Sequence, residues 1–323
     1  MGRPTFPRSI LEFQARFPDE AACWDYLFAC RWPDGFVCPK CAGVAYWALR
    51  SRRLLECTSC GHQASITAGT VMHRTRTPLL MWFWAAYLVS TATPGISARQ
   101  LGRQLGLTRY DTAWTILHKL RRAMVAAERT NLAGAVEVDE FEIGGVEHGR
   151  TSGRSSMAKA VRCVIACEIR GPGSGRIRME TIPDASGETL CGFVARNVEP
   201  GSTIHTDGWQ GYAPLRNQGY QWRPRSQREA KRLGDTEPVM PRAHRAVSNL
   251  KAWIHGTHRG FSAEHAQTYL DEYVFRYNRR RTPMAAFQTL LGLSTSHTPT
   301  TRAQIIASGP GPNSLHQLRQ DLS

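Results

Sequence analysis

The sequence has no apolar run long enough to cross a bilayer, which takes roughly 20 consecutive residues in a helix. Its most apolar window, Leu79–Ser90, spans only twelve residues and suits a buried helix better. The N-terminal stretch MGRPTFPRSILEF also lacks the apolar core of a secretory signal. We therefore expect a cytosolic protein rather than a membrane or secreted one.

Acidic residues are scarce relative to basic ones. The chain of 323 residues carries 26 Asp and Glu against 41 Lys and Arg, a formal net charge of +15. Such an excess favours a polyanionic partner, and nucleic acid is the commonest one. The alternative is a basic protein whose charge only maintains solubility.

Cysteine, in contrast, is abundant, with nine residues. Disulfides are uncommon in a cytosolic chain, and four of the cysteines show the Cys-x2-Cys, fifteen-residue, Cys-x2-Cys spacing of a zinc ribbon, namely Cys38, Cys41, Cys57 and Cys60. Four thiolates leave no open coordination position, so this spacing predicts a structural Zn2+ site. Short strands at Tyr46–Leu49 and Leu54–Glu56 would form the hairpin between the two cysteine pairs.

Residues 77–130 show helical patterning, and their second half resembles a helix-turn-helix. Ser97 fits a helix N-cap, Gly106 a helix stop and Thr108 a second N-cap. The second helix would enter the major groove and hold phosphates through Arg109, Tyr110, Thr112, Lys119, Arg121 and Arg122. The alternative is an ordinary helical hairpin, in which the polar side chains after Thr108 would not all face outward.

An aspartate interrupts a β-rich run at Ala135–Gly145, AVEVDEFEIGG. A carboxylate there is costly to bury unless a cation binds it, so Asp139 is either a metal ligand or a solvent-facing group on an edge strand. A second strand-borne aspartate, Asp207, follows in STIHTDGWQGY. By strand alternation Glu137 shares the face of Asp139, and Glu140 and Glu142 take the other face. We expect Glu137 to support the site or face solvent, not to be a ligand.

The elements around these aspartates follow the order strand, strand, strand, helix, strand. That order fits an α/β sheet of the ribonuclease H-like class, in which the first and fourth strands lie side by side. Asp139 and Asp207 would then be close enough to share metal ions. The basic segment 213–242 reads as an irregular, DNA-facing region, and 244–261 and 262–283 as helices, the second capped by Ser262.

These patterns predict five segments. They are an N-terminal helical segment at 1–34, a zinc ribbon at 35–75, a helix-turn-helix region at 76–130, a ribonuclease H-like catalytic domain at 131–292 and a disordered tail at 293–323.

Three motifs behind the four-cysteine ribbon carry a family resemblance: VEVDEFEIGG, IHTDGWQGY and the closing HRAVSNLKAWIHGTHRGFSAEHAQTYLDEYVFRYNRRR. Together they resemble bacterial DDE-type insertion-sequence transposases with an N-terminal zinc ribbon, over roughly residues 10–290. The resemblance implies binding of terminal inverted repeats in double-stranded DNA, with cleavage and strand transfer that depend on Mg2+ or Mn2+. It also implies a homodimer or larger active complex, and a bacterial cytoplasmic, nucleoid-associated protein.

Carried over to this sequence, Asp139 matches the first catalytic carboxylate and Asp207 the second. The third position is usually a glutamate seven residues before a lysine. The lysine corresponds to Lys251, and the position seven before it holds His244, which departs from the pattern; Asn249 is a second candidate on the same helix. Because Mg2+ prefers oxygen ligands, we expect His244 to weaken Mg2+ binding and favour Mn2+. Lys251 would contact a phosphate near the cut, or else simply face solvent.

Two other functions remain open at this stage. The departure at His244 is compatible with a domesticated DNA-binding protein that has lost catalysis. A ribonuclease acting on RNA–DNA hybrids fits the expected fold, but not the ribbon and helix-turn-helix that precede it.

Overall fold

The computed structural model of the protein describes residues 6–49, 52–125, 129–144, 160–234 and 238–307. Within these ranges, no helix combines the length and the hydrophobicity that a membrane crossing requires. Gly145 at the end of the first motif and residues 308–323 of the expected tail lie outside the described residues.

The helices and strands up to residue 125 are α1 (Ile10–Arg16), α2 (Glu20–Arg31), β1 (Tyr46–Leu49), β2 (Leu54–Cys57), β3 (Gln63–Ser65), α3 (Leu79–Thr91), α4 (Ala98–Gln104) and α5 (Tyr110–Ala123). Those from residue 129 to 234 are β4 (Ala135–Ile143), β5 (Val161–Arg170), β6 (Gly173–Thr181), α6 (Gly187–Asn197), β7 (Thr203–Thr206), a 3-10 helix (Gln210–Gln218), β8 (Gln221–Pro224) and α7 (Gln227–Arg232). The remainder are α8 (Pro241–Trp253), a π-helix (Ile254–His258), a 3-10 turn (Ala263–His265), α9 (Ala266–Asn278), α10 (Pro283–Ser296) and α11 (Arg302–Ala307).

The chain folds into two compact units. The first combines the described residues up to 125 with Arg279–Ala307, and the second runs from residue 129 to Asn278. The second unit is therefore inserted between the two parts of the first.

An aromatic cluster explains why the first unit needs both parts of the chain. Phe287 of α10 is fully buried. Its ring centroid lies 5.5 Å from that of Phe13 on α1 and 6.1 Å from that of Phe83 on α3. Burial of several aromatic rings contributes a large part of a core's stability. The predicted domain boundary at 292 therefore differs from the structure, which places residues 279–292 with the N-terminal unit.

The expected disorder from residue 293 onward also differs from the structure. Helix α10 continues to Ser296, which is followed by α11. Ser294 and Ile305 are buried at 0% and 1% exposure. The Ser, Thr and Pro content suggested a flexible tail, but these buried positions anchor residues 293–307 to the first unit.

The ribbon forms a small antiparallel sheet in the order β1-β2-β3. Both predicted hairpin strands are present, with the second extended by one residue to Cys57. Tyr46 pairs with Cys57 across the hairpin, so the strand pairing fixes the second cysteine pair relative to the chain that leads from the first.

Helices α4 and α5 occur close to where the sequence predicts them. The Ser97 hydroxyl accepts the backbone N–H of Gln100 as a helix cap, and Gly106 adopts a φ of +63° after α4 ends. The predicted cap at Thr108 is wrong, because α5 begins one residue later than that cap requires. Arg109 occupies the N-cap position and makes no side-chain capping bond.

The second unit is built on a five-stranded mixed sheet in the order β6-β5-β4-β7-β8. β4 pairs antiparallel with β5 and parallel with β7. The predicted adjacency of the first and fourth strands is thus confirmed. The segment 213–242 is more regular than expected, because β8 adds a parallel edge strand next to β7 and is followed by α7.

Helices cover both faces of this sheet. Val136 and Val138 of β4 pack with α6 and the 3-10 helix on one face, and Phe141 and Ile143 pack with α8 and α9 on the other. Helix α8 starts at Pro241, three residues before the predicted start at His244. Ser262 precedes a 3-10 turn and makes no capping hydrogen bond, so its predicted role as a helix cap is wrong.

We predict that Phe287→Ala lowers the free energy of unfolding of the first unit by about 3–5 kcal/mol, because it leaves a cavity in the aromatic cluster. Chemical denaturation followed by tryptophan fluorescence measures this change. Leu11→Ala is the control, since Leu11 is 73% exposed and its replacement changes stability by less than about 0.5 kcal/mol. Equal effects of the two substitutions would contradict the assignment of α10 to this core.

Candidate functional site

The four cysteines of the ribbon converge on one point. Their Sγ atoms all lie within 4.8 Å of one another. The Sγ–Sγ distances are 3.7 Å for Cys38 and Cys60 and 3.5 Å for Cys41 and Cys57. Tetrahedral zinc with Zn–S bonds of about 2.3 Å separates its sulfur ligands by about 3.8 Å. The cluster therefore fits the predicted structural Zn2+, which would be held by all four thiolates.

Tight turns present these thiolates. Gly61 follows the second pair at a φ of +67°, and Ala42 takes the same left-handed conformation after the first pair, at +60°. A side chain at Gly43 would come within 2.9 Å of the Ser59 Oγ and 3.2 Å of the Cys57 Sγ. The first turn thus keeps its glycine where the backbone approaches the metal site, and leaves Ala42 in a conformation that costs an L-residue about 1–2 kcal/mol.

The parallel register of β4 and β7 brings the two predicted aspartates together. Glu137 pairs with His205 across these strands. Asp139 follows Glu137 by two residues on β4, and Asp207 follows His205 by two residues, directly after β7 ends at Thr206. The pairing therefore brings the two aspartates near each other, and the negative charge of Asp207 acts on the carboxyl group of Asp139.

The electrostatics of Asp139 agree with this placement. Burial raises the pKa of its carboxyl group, the nearby His244 lowers it, and the negative charge of Asp207 raises it again, leaving the pKa above its usual value. A half-buried carboxylate destabilised by a neighbouring carboxylate is the environment that a bound cation would relieve.

His244 on α8 lies against the first aspartate. Its Nε2 atom is 3.1 Å from the Oδ2 atom of Asp139. Lys251, seven residues on, falls on the same side of the helix and is exposed. Asn249 is exposed and lies about 140° around the helix axis from His244. The geometry thus favours His244 over Asn249 as the third member of the site.

Two further carboxylates on β4 were not predicted to act as they do. Glu137, which shares the face of Asp139 as expected, is 2% exposed and accepts hydrogen bonds from the first turn of α8. Glu140, on the other face, accepts a hydrogen bond from the hydroxyl of Tyr212, which is fully buried. The alternation of side chains along β4 predicted the face of the sheet on which each glutamate lies. No local sequence pattern indicated their hydrogen-bond partners, which lie 72 to 106 residues away in the chain.

Burial raises the pKa of the Glu140 carboxyl group above its usual value. The hydrogen bond from Tyr212 lowers this pKa, but by less than burial raises it. The hydrogen bond ties the segment after Asp207 to the strand that carries Asp139.

The predicted DNA-contacting residues of α5 divide into exposed and buried ones. Arg109 and Tyr110 are exposed, and Thr112, Lys119 and Arg122 are partly exposed. Burial lowers the pKa of the Lys119 ammonium group. The prediction for Arg121 needs correction, because its side chain is only 1% exposed and cannot reach a phosphate in this conformation.

A cavity of about 310 Å³ lies beside the start of α5. Four cationic residues line it together with Asp111, namely Arg76, Arg109, Lys119 and Arg302. Asp111 forms an ion pair with Arg302 at 3.1 Å. The cavity therefore presents a net positive charge next to the residues predicted to bind DNA.

These features define a zinc-ribbon protein with an α/β unit that carries an acidic pair beside a histidine. Residues 131–278 match the ISXO2-like transposase domain, and residues 18–63 match the transposase zinc-ribbon domain. The two ranges together cover more than half of the chain. The protein belongs to this family of insertion-sequence transposases with an N-terminal zinc ribbon.

A relative in Halobacterium salinarum extends the similarity along most of the chain. It is described as an uncharacterized protein in transposable element ISH50 and is 27% identical over 296 residues, covering 85% of this chain and 97% of the relative. No solved structure matches the chain.

We predict that the protein binds one zinc ion per chain and that Cys41→Ser strongly reduces this binding, because a tetrahedral site with three thiolates loses much of its affinity. Zinc content measured by atomic emission tests this, with hydrogen exchange of residues 38–65 as a report on ribbon folding. Cys30→Ser is the control, since Cys30 is outside the cluster. Full zinc occupancy in Cys41→Ser would refute the assignment.

Proposed function

We propose that the protein is a transposase that binds the terminal inverted repeats of its own element and cleaves and joins DNA with Mg2+ or Mn2+. The observation that carries this proposal is the contact of His244 with Asp139, on a strand that pairs with the strand leading to Asp207, in a chain of the transposase family. The strand order supports a ribonuclease H-like catalytic domain, because the central strand pairs antiparallel on one side and parallel on the other.

The donor set fits divalent metal ions. Asp139 and Asp207 would supply carboxylate oxygens, and His244 a ring nitrogen that Mn2+ accepts more readily than Mg2+. When bound, a pair of such ions activates a water or 3′-hydroxyl nucleophile and stabilises the leaving oxygen of an in-line displacement at phosphorus. The role of this chain's residues is to hold the ions at the carboxyl end of β7, beside the middle of β4.

Lys251 extends the site along α8. Its exposed position on the same side of the helix as His244 suits contact with a DNA phosphate near the scissile bond. The strongly basic composition provides the wider field that attracts DNA.

We assign duplex recognition to α4 and α5 as a helix-turn-helix. Support comes from the exposed Arg109 and Tyr110 and from the cationic cavity next to them. Arg109, Tyr110, Thr112, Lys119 and Arg122 stay in this proposal, and Arg121 is removed from it because it is buried. Pairing of two element ends implies at least a dimer in the active complex, which we place in the cytoplasm on nucleoid DNA.

One observation favours a second candidate function, a DNA-binding protein derived from a transposase that no longer cuts. A histidine at the third position supplies one ligand atom where a glutamate would supply two oxygens. The cleavage experiment below separates the two functions.

We predict that the protein cleaves an inverted-repeat duplex, and that Asp139→Asn and Asp207→Asn each reduce cleavage by about 100-fold or more while leaving DNA binding intact. Gel-based cleavage and binding assays on the flanking DNA of the element measure both properties. Glu142→Gln is the matched control, because Glu142 lies on β4 but is exposed in a surface ion pair with Arg162. Binding without cleavage by the unaltered protein in either metal would support the domesticated alternative.

We further predict that the unaltered protein is more active with Mn2+ than with Mg2+ at limiting metal, and that His244→Glu reduces this preference. The reason is that glutamate replaces a nitrogen ligand with the oxygen that Mg2+ prefers. Titration of each metal in the cleavage assay, with half-maximal concentrations compared between the two proteins, tests it. Equal Mg2+ and Mn2+ requirements in the unaltered protein would count against His244 as a ligand.

A further inference from the structure

We propose that Glu137 is a positioning residue, which sets His244 against Asp139 by capping the helix that carries His244. The inference rests on the proposed function, because it concerns the geometry of the same metal site. It assigns a role to a buried carboxylate that the reaction itself does not use.

The carboxylate of Glu137 on β4 binds the first turn of α8, which packs on the same face of the sheet. Its Oε2 atom accepts the backbone N–H groups of Arg242 and Ala243, both at 2.8 Å. Its Oε1 atom accepts Nη1 of Arg242 at 3.0 Å. These two backbone donors are the ones that a local N-cap side chain normally satisfies.

Helix α8 has no such local cap. Met240 occupies the N-cap position with a φ of +49° and makes no side-chain capping bond, and Pro241 follows at the first helical position. A left-handed conformation is unfavourable for a bulky residue such as methionine. The helix start is therefore held by Glu137, which also places a negative charge at the positive end of the helix dipole.

Arg242 connects this contact between Glu137 and α8, which we call the Glu137 clamp, to a third element. Its Nε donates to the carbonyl of Gly173 at 3.0 Å, and its Nη2 to the carbonyl of Gly171 at 2.7 Å. The turn between β5 and β6, the strand β4 and the start of α8 thus meet at one ion pair, in which Glu137 is buried and Arg242 is partly exposed. Removal of one partner of such a pair lowers the stability of the fold far more than replacement of both partners by apolar residues.

The Glu137 clamp is connected to His244 only through the backbone of α8. Ala243, whose N–H is bound by Glu137, directly precedes His244, and Glu137 lies two residues before Asp139 on the same face of β4. One rigid path therefore connects the two groups whose side chains are 3.1 Å apart. Any shift of the helix start relative to β4 alters that distance, and groups that orient metal ligands typically contribute 10–100-fold to affinity.

The test uses Glu137→Gln in the full-length protein, with Glu142→Gln as the matched control from the exposed side of the same strand. In the zinc-loaded protein without Mn2+ or Mg2+, we expect hydrogen exchange of the first turn of α8 to accelerate in Glu137→Gln and not in the control. We also expect the Kd for Mn2+, measured by calorimetry without DNA, to rise about tenfold, with unchanged DNA binding. If Glu137→Gln does not fold, Arg242→Lys, which keeps the positive charge but loses the planar guanidinium, carries the same measurements.

A double-mutant cycle separates positioning from general stabilisation. In a His244→Ala background, Glu137→Gln should no longer change the Kd for Mn2+, since its effect passes through His244. A tenfold change that persists there, or a lowered melting temperature with an unchanged Kd for Mn2+, would overturn the inference. Absence of DNA cleavage by the unaltered protein would instead refute the proposed function, because the exchange and calorimetry measurements do not depend on cleavage.

Discussion

The parallel pairing of β4 with β7 is the constraint on which the candidate site depends. It joins two segments separated by the antiparallel strands β5 and β6 and by helix α6, and it brings Asp207, which directly follows β7, near Asp139 on β4. Burial raises the pKa of the Asp139 carboxyl group, and the negative charge of Asp207 raises it further, so the site is unfavourable for a carboxylate without a cation. The apolar cores on both faces of the sheet stabilise the pairing of β4 with β7, and this stabilisation offsets the repulsion between the two aspartates. This is a common relation between a rigid scaffold and a strained site.

The sequence carried the main features of this site because they are encoded locally. Cysteine spacing specifies a tetrahedral cluster, and the Sγ atoms converge as expected. Alternation along β4 gave the correct faces for Glu137, Asp139 and Glu140, and the order of elements gave the adjacency of β4 and β7.

What the sequence did not reveal depends on contacts between distant segments. The cap of α8 comes from Glu137, 105 residues before Arg242, so no local signature marks it. Arginine is a residue type that often contacts phosphate, but the packing of α5 buries the side chain of Arg121. Phe287 lies in a segment that the sequence order assigned to the catalytic domain, and its aromatic neighbours on α1 and α3 place it in the first unit instead.

The division of the first unit between the two ends of the chain has a consequence for biosynthesis. A ribosome exposes α1, α3 and the ribbon early, but Phe287 emerges only after the whole sheet of the second unit has been translated. The aromatic core of the first unit is completed last. The proposed recognition helix α5 is therefore part of a unit that reaches its final packing only when the chain that bears the acidic pair is already synthesised. Truncated translation products would lack this core, so incomplete chains would present α5 in a unit without its final packing.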